Sequence, residues 1–311
     1  FTKVSMGMVA AVFPRLMATE LFAVQPFVQP AQYVFYRRYL YKSSPLADQR
    51  IDDRSNKTTT YSTDPGEGSS SVKETGIKIE RELVEASIRK LKWQTSIEAI
   101  FSLQAYHGLD MEVLQDDAMK TEIALEVDQE LISDCISNAG ANVNWDPTDG
   151  GEYDSYTPSE KRAHDETLAQ ALDDAMTEIV KNRYVDRSRI WIAGNPSAVG
   201  RLIKLSGNFF QKAGGTNDGS LRKGARFSGT LTGGNRVYEV PWMEDNKFLL
   251  GYKGPTFVDA GYVYCPFVPF FVTPRIWDDS LNFEVKKGGL TWYAKKMVVP
   301  EMYATVTITS S

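Results

Sequence analysis

Residues from about Leu109 to Ser137 read as one uninterrupted helix, and no other feature constrains the fold as much. At 1.5 Å per residue it is a rod of about 40 Å, longer than most helices of globular domains, so the rest of the chain has to be organised along it. Asp110 supplies the cap. An apolar stripe runs through Leu114, Ala118, Thr121, Leu125, Ile132, Cys135 and Ile136, and Val113, Met119, Ile123 and Val127 widen it. The opposite face is acidic: Glu112, Asp116, Asp117, Glu122, Glu126, Asp128, Glu130 and Asp134 stand against Lys120. Such a face is solvated, or docks on a basic surface. Arg37, Arg38, Arg81, Arg89 and Lys90 are candidates for such a surface on a neighbouring subunit.

Upstream, residues 1–30 carry Pro14, Pro26 and Pro30 among apolar patches and read as an arm with a short helical piece. Residues 4–13 (VSMGMVAAVF) faintly mimic a secretory signal, but Pro14, Arg15 and Glu20 offer no small-residue cleavage site. Gln32–Tyr41 (QYVFYRRYLY) has the composition of a strand. Residues 43–72 turn polar, with a turn signal at Asp64-Pro65-Gly66, and strand-like sequence resumes over Val72–Glu82, where Ile77 and Ile79 alternate with charges. Two strands flanking a polar stretch of roughly 30 residues make a long β-arm, and stretches of that length commonly carry function. Leu83, Ile88, Leu91, Ile97, Ile100 and Phe101 then recur at helical spacing, which predicts a helix over 83–107 closed by Gly108.

Downstream, residues 138–157 form a Gly/Asn/Asp-rich connector, and 158–183 are helical with Pro158 in the first turn. Arg189–Ala193 (RIWIA) is a short buried strand, and Asn195-Pro196-Ser197 opens a helix to about Leu205, giving the centre of an α/β subdomain. Residues 207–236 are glycine-rich loop and hairpin. Strands are expected at 237–240, 247–252, 281–285, 290–294 and 302–308. The run from Tyr262 to Val272 is broken by Pro266 and Pro269, which predicts an edge or irregular strand.

Chemistry is scarce. There is no GxSxG, Walker loop, GxGxxG or HExxH. His107 precedes a helix-ending glycine and His164 sits among charges on a helix; neither has the neighbours of a catalytic or metal-binding histidine. Asn142, Asn144 and Asp146 have calcium-loop spacing, but Pro147 replaces the required glycine and Tyr153 the required Glu. Gly214-Gly215, Gly219 and Gly233-Gly234 lead into no phosphate-binding helix and read as loop and hairpin glycines. Cys135 and Cys265 have no motif and read as buried free thiols. We therefore expect no catalytic, cofactor-binding or metal-binding residues and no enzyme. A net charge of −5 argues against a protein that grips nucleic-acid phosphates. No segment is expected to cross a membrane.

Three stretches carry a resemblance. Val12–Tyr39 contains Val24-Gln25-Pro26 ahead of the aromatic strand. Tyr106-His107-Gly108-Leu109-Asp110 enters the acidic helix. Gly251-Tyr252-Lys253-Gly254, Asp259-Ala260-Gly261 and Tyr264-Cys265-Pro266-Phe267-Val268-Pro269 follow near the end. In combination the sequence resembles the major capsid proteins of tailed bacteriophages, the T-even myovirus type most closely. The resemblance implies an α+β chain with the Hong Kong 97-type capsid fold. Its parts would be an N-terminal arm (1–30), an extended β-arm loop (31–82), a peripheral domain with a long spine helix (83–140), an α/β axial domain (141–250) and return strands completing the peripheral domain (251–311). It implies a structural protein that self-assembles into hexamers and pentamers of an icosahedral or prolate head, located in the virion and assembled in the host bacterial cytoplasm, with double-stranded DNA enclosed but not specifically bound. Vertex, decoration, scaffolding, portal and maturation-protease proteins are further partners of that reading. A start at Phe1 is consistent with removal of an upstream segment by such a protease. One departure is plain: T-even capsid proteins carry an insertion domain on the extended loop, and residues 43–72 are too short for it. An encapsulin-like compartment and an enzyme built around Ile190–Leu205 are the alternatives.

Overall fold

The computed structural model describes residues 16–44, 47–50, 74–205, 209–212, 226–259, 261–278 and 284–309. The helices are α1 (Ala18–Leu21), α2 (Ile97–His107), α3 (Met111–Ser137), α4 (Pro158–Arg183) and α5 (Pro196–Lys204). The strands are β1 (Ala23–Val24), β2 (Ala31–Ser44), β3 (Ala47–Arg50), β4 (Glu74–Glu85), β5 (Ser87–Ser96), β6 (Ala141–Trp145), β7 (Ile190–Gly194) and β8 (Phe210–Lys212). They continue with β9 (Arg226–Leu231), β10 (Arg236–Glu239), β11 (Lys247–Tyr252), β12 (Tyr262–Val272), β13 (Ile276–Asp278), β14 (Glu284–Met297) and β15 (Tyr303–Ile308). The N-terminal stretch 4–13, most of the polar stretch 43–72 and the glycines at 214, 215 and 219 lie outside the described residues.

The chain divides into two compact units. The first takes residues up to Gln32, Leu83–Ser133 and Val263–Lys296. Its five-stranded sheet runs β1-β12-β14-β13, with β5 also paired to β14. The helix α3 has the expected length, 27 residues, but its buried stripe is not the expected one. Met119, Ile123, Ala124, Val127, Leu131, Ile132 and Cys135 are buried, whereas Val113 and Leu114 are exposed. The residues expected merely to widen the seam form it, because steps of four keep Met119, Ile123, Val127 and Leu131 on one line.

The helix expected over 83–107 is strand as far as Ser96. Leu91, Trp93 and Thr95 are partly covered while Lys90, Lys92 and Gln94 are exposed, a period of two. The strand β5 pairs antiparallel with β14 from Glu284↔Ser96 to Tyr293↔Ser87. Only α2 is helical, capped by the Ser96 side chain accepting from the Ala99 N–H and by Gly108 at φ 62°. Of the two strands expected at 281–285 and 290–294, Glu284, Val285 and residues 290–294 belong to one continuous strand from Glu284 onward, and 281–283 lie outside the described residues. Gly288-Gly289 does not turn the chain. A Cβ on Gly289 would lie 2.7 Å from the Phe270 ring and 2.9 Å from Met119 Sδ, so a side chain is excluded there by packing.

The strand β12 is neither an edge nor broken by its prolines; its first five residues are all buried. The prolines instead bound its ladder with β1, which pairs only Ala23↔Val263 and Val24↔Tyr264. Beyond that the neighbouring segment uses carbonyls, the Phe27 N–H donating to Pro266 O at 2.9 Å.

The second unit takes Tyr33–Glu82, Asp134–Tyr262 and the chain from Met297. Its sheet runs β6-β15-β11-β7-β10-β9-β8, with β10 parallel to β7 and β6 parallel to β15. The connector 138–157 thus contains a strand, and residues 251–311 are shared between the two units. All five residues of β7 are buried, as a run covered on both faces must be. On it pack Leu168, Leu172, Ala175, Met176 and Ile179 of α4 and Ala198, Val199 and Leu202 of α5. Pro158 opens α4 beneath a capping box made by Thr157 and Glu160, and Asn195 caps α5. A three-stranded sheet, β3-β2-β4, forms the arm. At 3.3 Å per residue the 14 residues of β2 reach about 45 Å.

Candidate assembly surfaces

The arm leaves its unit over a fixed anchor. The Arg37 N–H on β2 donates to Val258 O at 3.2 Å, and its guanidinium meets Asp259 at 2.6 Å. Thr256 Oγ1 donates to the same carboxylate at 2.8 Å. The motif glycine Gly254 makes this corner possible: a Cβ there would lie 2.2 Å from Asp259 O. Nearer the start of β2, Arg81 lies over the Tyr33 ring at 4.9 Å. Tyr33, Phe35, Ile77 and Ile79 remain exposed, the two isoleucines by 64% and 65%.

The acidic helix face is largely engaged within its own unit rather than solvated. Near its start Lys287 Nζ lies 3.1 Å from Glu112 and 3.0 Å from Asp116, Arg275 pairs with Glu112, and Trp93 Nε1 donates to Asp116 at 3.1 Å. At Glu130 three donors converge: Arg89, the Tyr293 hydroxyl and Lys295, the last at 3.1 Å. Burial pushes the Glu130 carboxyl up, but these hydrogen bonds more than offset it and hold the carboxyl below its ordinary range. Buried Asp128 accepts from the Met17 N–H at 3.0 Å, tying down the start of α1. In the second unit Asp134 accepts from the Tyr262 hydroxyl at 2.8 Å. Arg37 and Arg89, expected to pair across a subunit boundary, therefore find carboxylates in their own chain, while Lys90, Glu122 and Glu126 stay exposed.

The residues weighed for chemistry have structural work. His164 bonds to Asp146 O at 2.9 Å through Nε2 and stacks on Trp145 with centroids 5.5 Å apart. Asn142 and Asn144 sit on β6, where Asn142 Oδ1 accepts from Thr305 at 3.1 Å and Thr307 at 3.2 Å. Asp146 closes a turn on the Thr148 and Gly150 N–H groups, so its calcium-like spacing comes from a strand running into a turn. Gly233-Gly234 turns β9 into β10. Cys135 and Cys265 are buried and free, and burial pushes the Cys265 thiol up to about 12. A cleft of about 460 Å³ between α4 and the β9–β10 turn includes Thr167, Asp173 and Arg187. There Asp173 pairs with Arg187, and the Thr167 hydroxyl donates to His164 O. Among the described residues no three His, Cys, Asp or Glu side chains group to hold a metal ion, and no helix is long and apolar enough to cross a membrane.

The family of major capsid protein Gp23 matches residues 1–67 and 47–311. The chain belongs to that family. Its matched segments overlap in the polar stretch of the arm. Among curated relatives, the major capsid protein of Enterobacteria phage T4 is 28% identical over 233 residues, covering 71% of this chain and 44% of the relative. That of Vibrio phage KVP40 is 30% identical over 237 residues, covering 71% of this chain and 45% of the relative. The matched region is thus under half the length of either relative. A solved capsid structure of cyanophage P-SCSP1u superposes with a TM-score of 0.57 at 11% identity, covering 93% of this chain and 87% of that one. The fold of this Gp23-family chain is therefore the Hong Kong 97 type, and the family is one of structural capsid proteins, not enzymes. Sequence reasoning missed β5, β6 and the unbroken β14. The alternation through Lys90–Thr95 was the available signal for β5.

Proposed function

We propose that this chain is the shell-forming subunit of a tailed-phage head, associating with copies of itself around five- and six-fold axes. The observation that carries the reading is the arm. It is anchored at its base by Arg37 and Asp259, long enough to cross a subunit boundary, and it keeps Tyr33, Phe35, Ile77 and Ile79 exposed along its strands. Apolar side chains on a projecting sheet are stable in water only if something covers them, and in a shell built of one chain the neighbour does. Many contacts of roughly 1,000 Å² each then add up through multivalency.

In this reading the unit holding α3 is the peripheral domain and the unit built on the seven-stranded sheet is the axial domain. Residues 1–30 are the N-terminal arm, β2, β3 and β4 belong to the extended loop, and residues 263–296 are the return strands. A net charge of −5 suits a container that must let DNA pass into it without gripping phosphates. Portal, scaffolding, vertex, decoration and protease proteins are the heterologous partners. Without an insertion domain on the arm, a separate protein or a simpler loop contact reinforces the shell. Electron microscopy of the purified chain tests the reading. Shells or five- and six-membered rings are expected; a monodisperse small globule at all concentrations and salt conditions would overturn it.

A further inference from the structure

The helix α2, together with the first turn of α3, carries large apolar side chains that stay exposed among the described residues. Its sequence is IEAIFSLQAYH, and none of its residues is buried. Ile97, Ile100 and Leu103, at steps of three, are partly covered, while Phe101 and Tyr106 lie to either side of them; at 100° per residue the five span about 220°, wider than one packed face. The flanks of so wide an apolar surface are normally buried. Here Phe101 is 65% and Tyr106 83% exposed, and Leu109, Val113 and Leu114 extend the exposed surface beyond Gly108. Eleven residues are too few for a helix to persist on propensity alone. Yet this one is fixed at both ends, by Ser96 and by Gly108 in the left-handed conformation.

We infer that this face is a contact between copies of the chain, and that a second copy covers it; the inference rests on the shell reading above. Two observations select that occupant. The first is area. Taking aromatic side chains at roughly 200 Å² and aliphatic ones at somewhat less, Phe101, Tyr106, Leu109, Val113 and Leu114 expose on the order of 500 Å². Two such faces pressed together bury roughly 1,000 Å², the size at which a specific protein contact becomes stable. The second is charge. Between Ile97 and Leu109 there is one carboxylate, Glu98, in a protein with 40 acidic residues. The acids that follow are already used, Asp110 accepting from the Glu112 N–H at 2.9 Å and Glu112 held by Arg275 and Lys287. Copies can therefore meet here without burying like charges, whereas a strongly basic partner would find little to pair with.

The test places a photo-crosslinking benzoylphenylalanine at position 106 of the full chain and, separately, makes Phe101→Glu with Tyr106→Glu. Irradiated particles should give chain-to-chain adducts whose mapped peptides both come from this chain. The α2 amides should exchange with solvent at least tenfold more slowly in shells than in unassembled subunits. The double variant should keep the far-UV spectrum and melting temperature of the subunit while losing most of its shells. Adducts to a different protein, or wild-type shells in which α2 exchanges as freely as in the subunit, overturn the inference and leave the shell reading standing. If the unmodified chain forms no shells, the shell reading itself fails. If the double variant does not fold, the crosslink and the exchange data still decide.

Discussion

A carboxylate with three donors around it is a pH-dependent fastening, and Glu130 is the clearest case in this chain. Its folded-state pKa is lowered, so its contribution to stability is complete above the ordinary value of 4.5 and is lost as the pH falls through the folded value. Replacing Glu130 with Gln should cost about 1–2 kcal/mol at pH 7, since Arg89 and Lys295 are partly solvated and screening reduces the effect. The cost should shrink as the pH falls through the lowered folded value, where the wild-type carboxyl becomes protonated as well; urea midpoints of both proteins over an acid series downward from pH 7 check this. The thiols give a second expectation at this scale. Cys135 and Cys265 are both fully buried, and the raised pKa of Cys265 leaves almost no thiolate at neutral pH. Neither should react with a maleimide in the native protein at pH 7, and both should react in urea. Labelling of either one in the native state, read by mass spectrometry, would contradict the packing described.

At the scale of elements, the anchored arm makes the sharpest expectation. Arg37→Ala takes the guanidinium away from Asp259, whose side chain is 15% exposed, and leaves the Thr256 hydroxyl on that carboxylate. It should cost about 1–2 kcal/mol, and hydrogen exchange along β2 should quicken while exchange in β7 stays unchanged. Equal protection of β2 in both proteins would mean that the anchor does not hold the arm. This scale also shows what could be read beforehand. Helices α4 and α5 were legible to within a residue or two, because Thr157, Pro158 and Asn195 mark their starts through local backbone chemistry. The strand β5 was not, because Ile88 and Leu91 fit a helical period as well as they fit a strand, and pairing with β14 nearly 200 residues later decides between them. The buried seam of α3 was misplaced for a related reason. The helix carries two apolar stripes; one packs in its own chain, and the other, beginning at Val113 and Leu114, faces out. A sequence pattern records that a residue avoids water, not whose surface it avoids water against.

For the whole molecule, the anchored arm and the exposed face of α2 are the places where the proposed shell contacts would form. Deleting residues 48–70, most of the polar stretch between the strand-like segments, should leave the circular dichroism and melting of the subunit within error while reducing shell yield and the temperature at which shells come apart. Electron microscopy and light scattering during a thermal ramp measure both, and shells of unchanged yield and stability would remove the arm from the assembly mechanism. The candidate surfaces were less legible than the fold for a physical reason. Enzyme sites announce themselves through a few reactive side chains, but assembly surfaces are made of ordinary apolar residues whose exposure is known only after folding.

The strand order β6-β15-β11 has one more consequence, in time rather than space. The middle strand of the three, Tyr303–Ile308, is the last of the described strands, and it enters between Ala141–Trp145 and Lys247–Tyr252. During synthesis, at about 5–20 residues per second, both of those neighbours wait with open edges until residue 308 has left the ribosome. The unit cannot close around its core any earlier, so a growing chain cannot present a finished surface to a lattice. A chain that stops short of Tyr303–Ile308 leaves both of those edges open and the seven-stranded sheet unclosed.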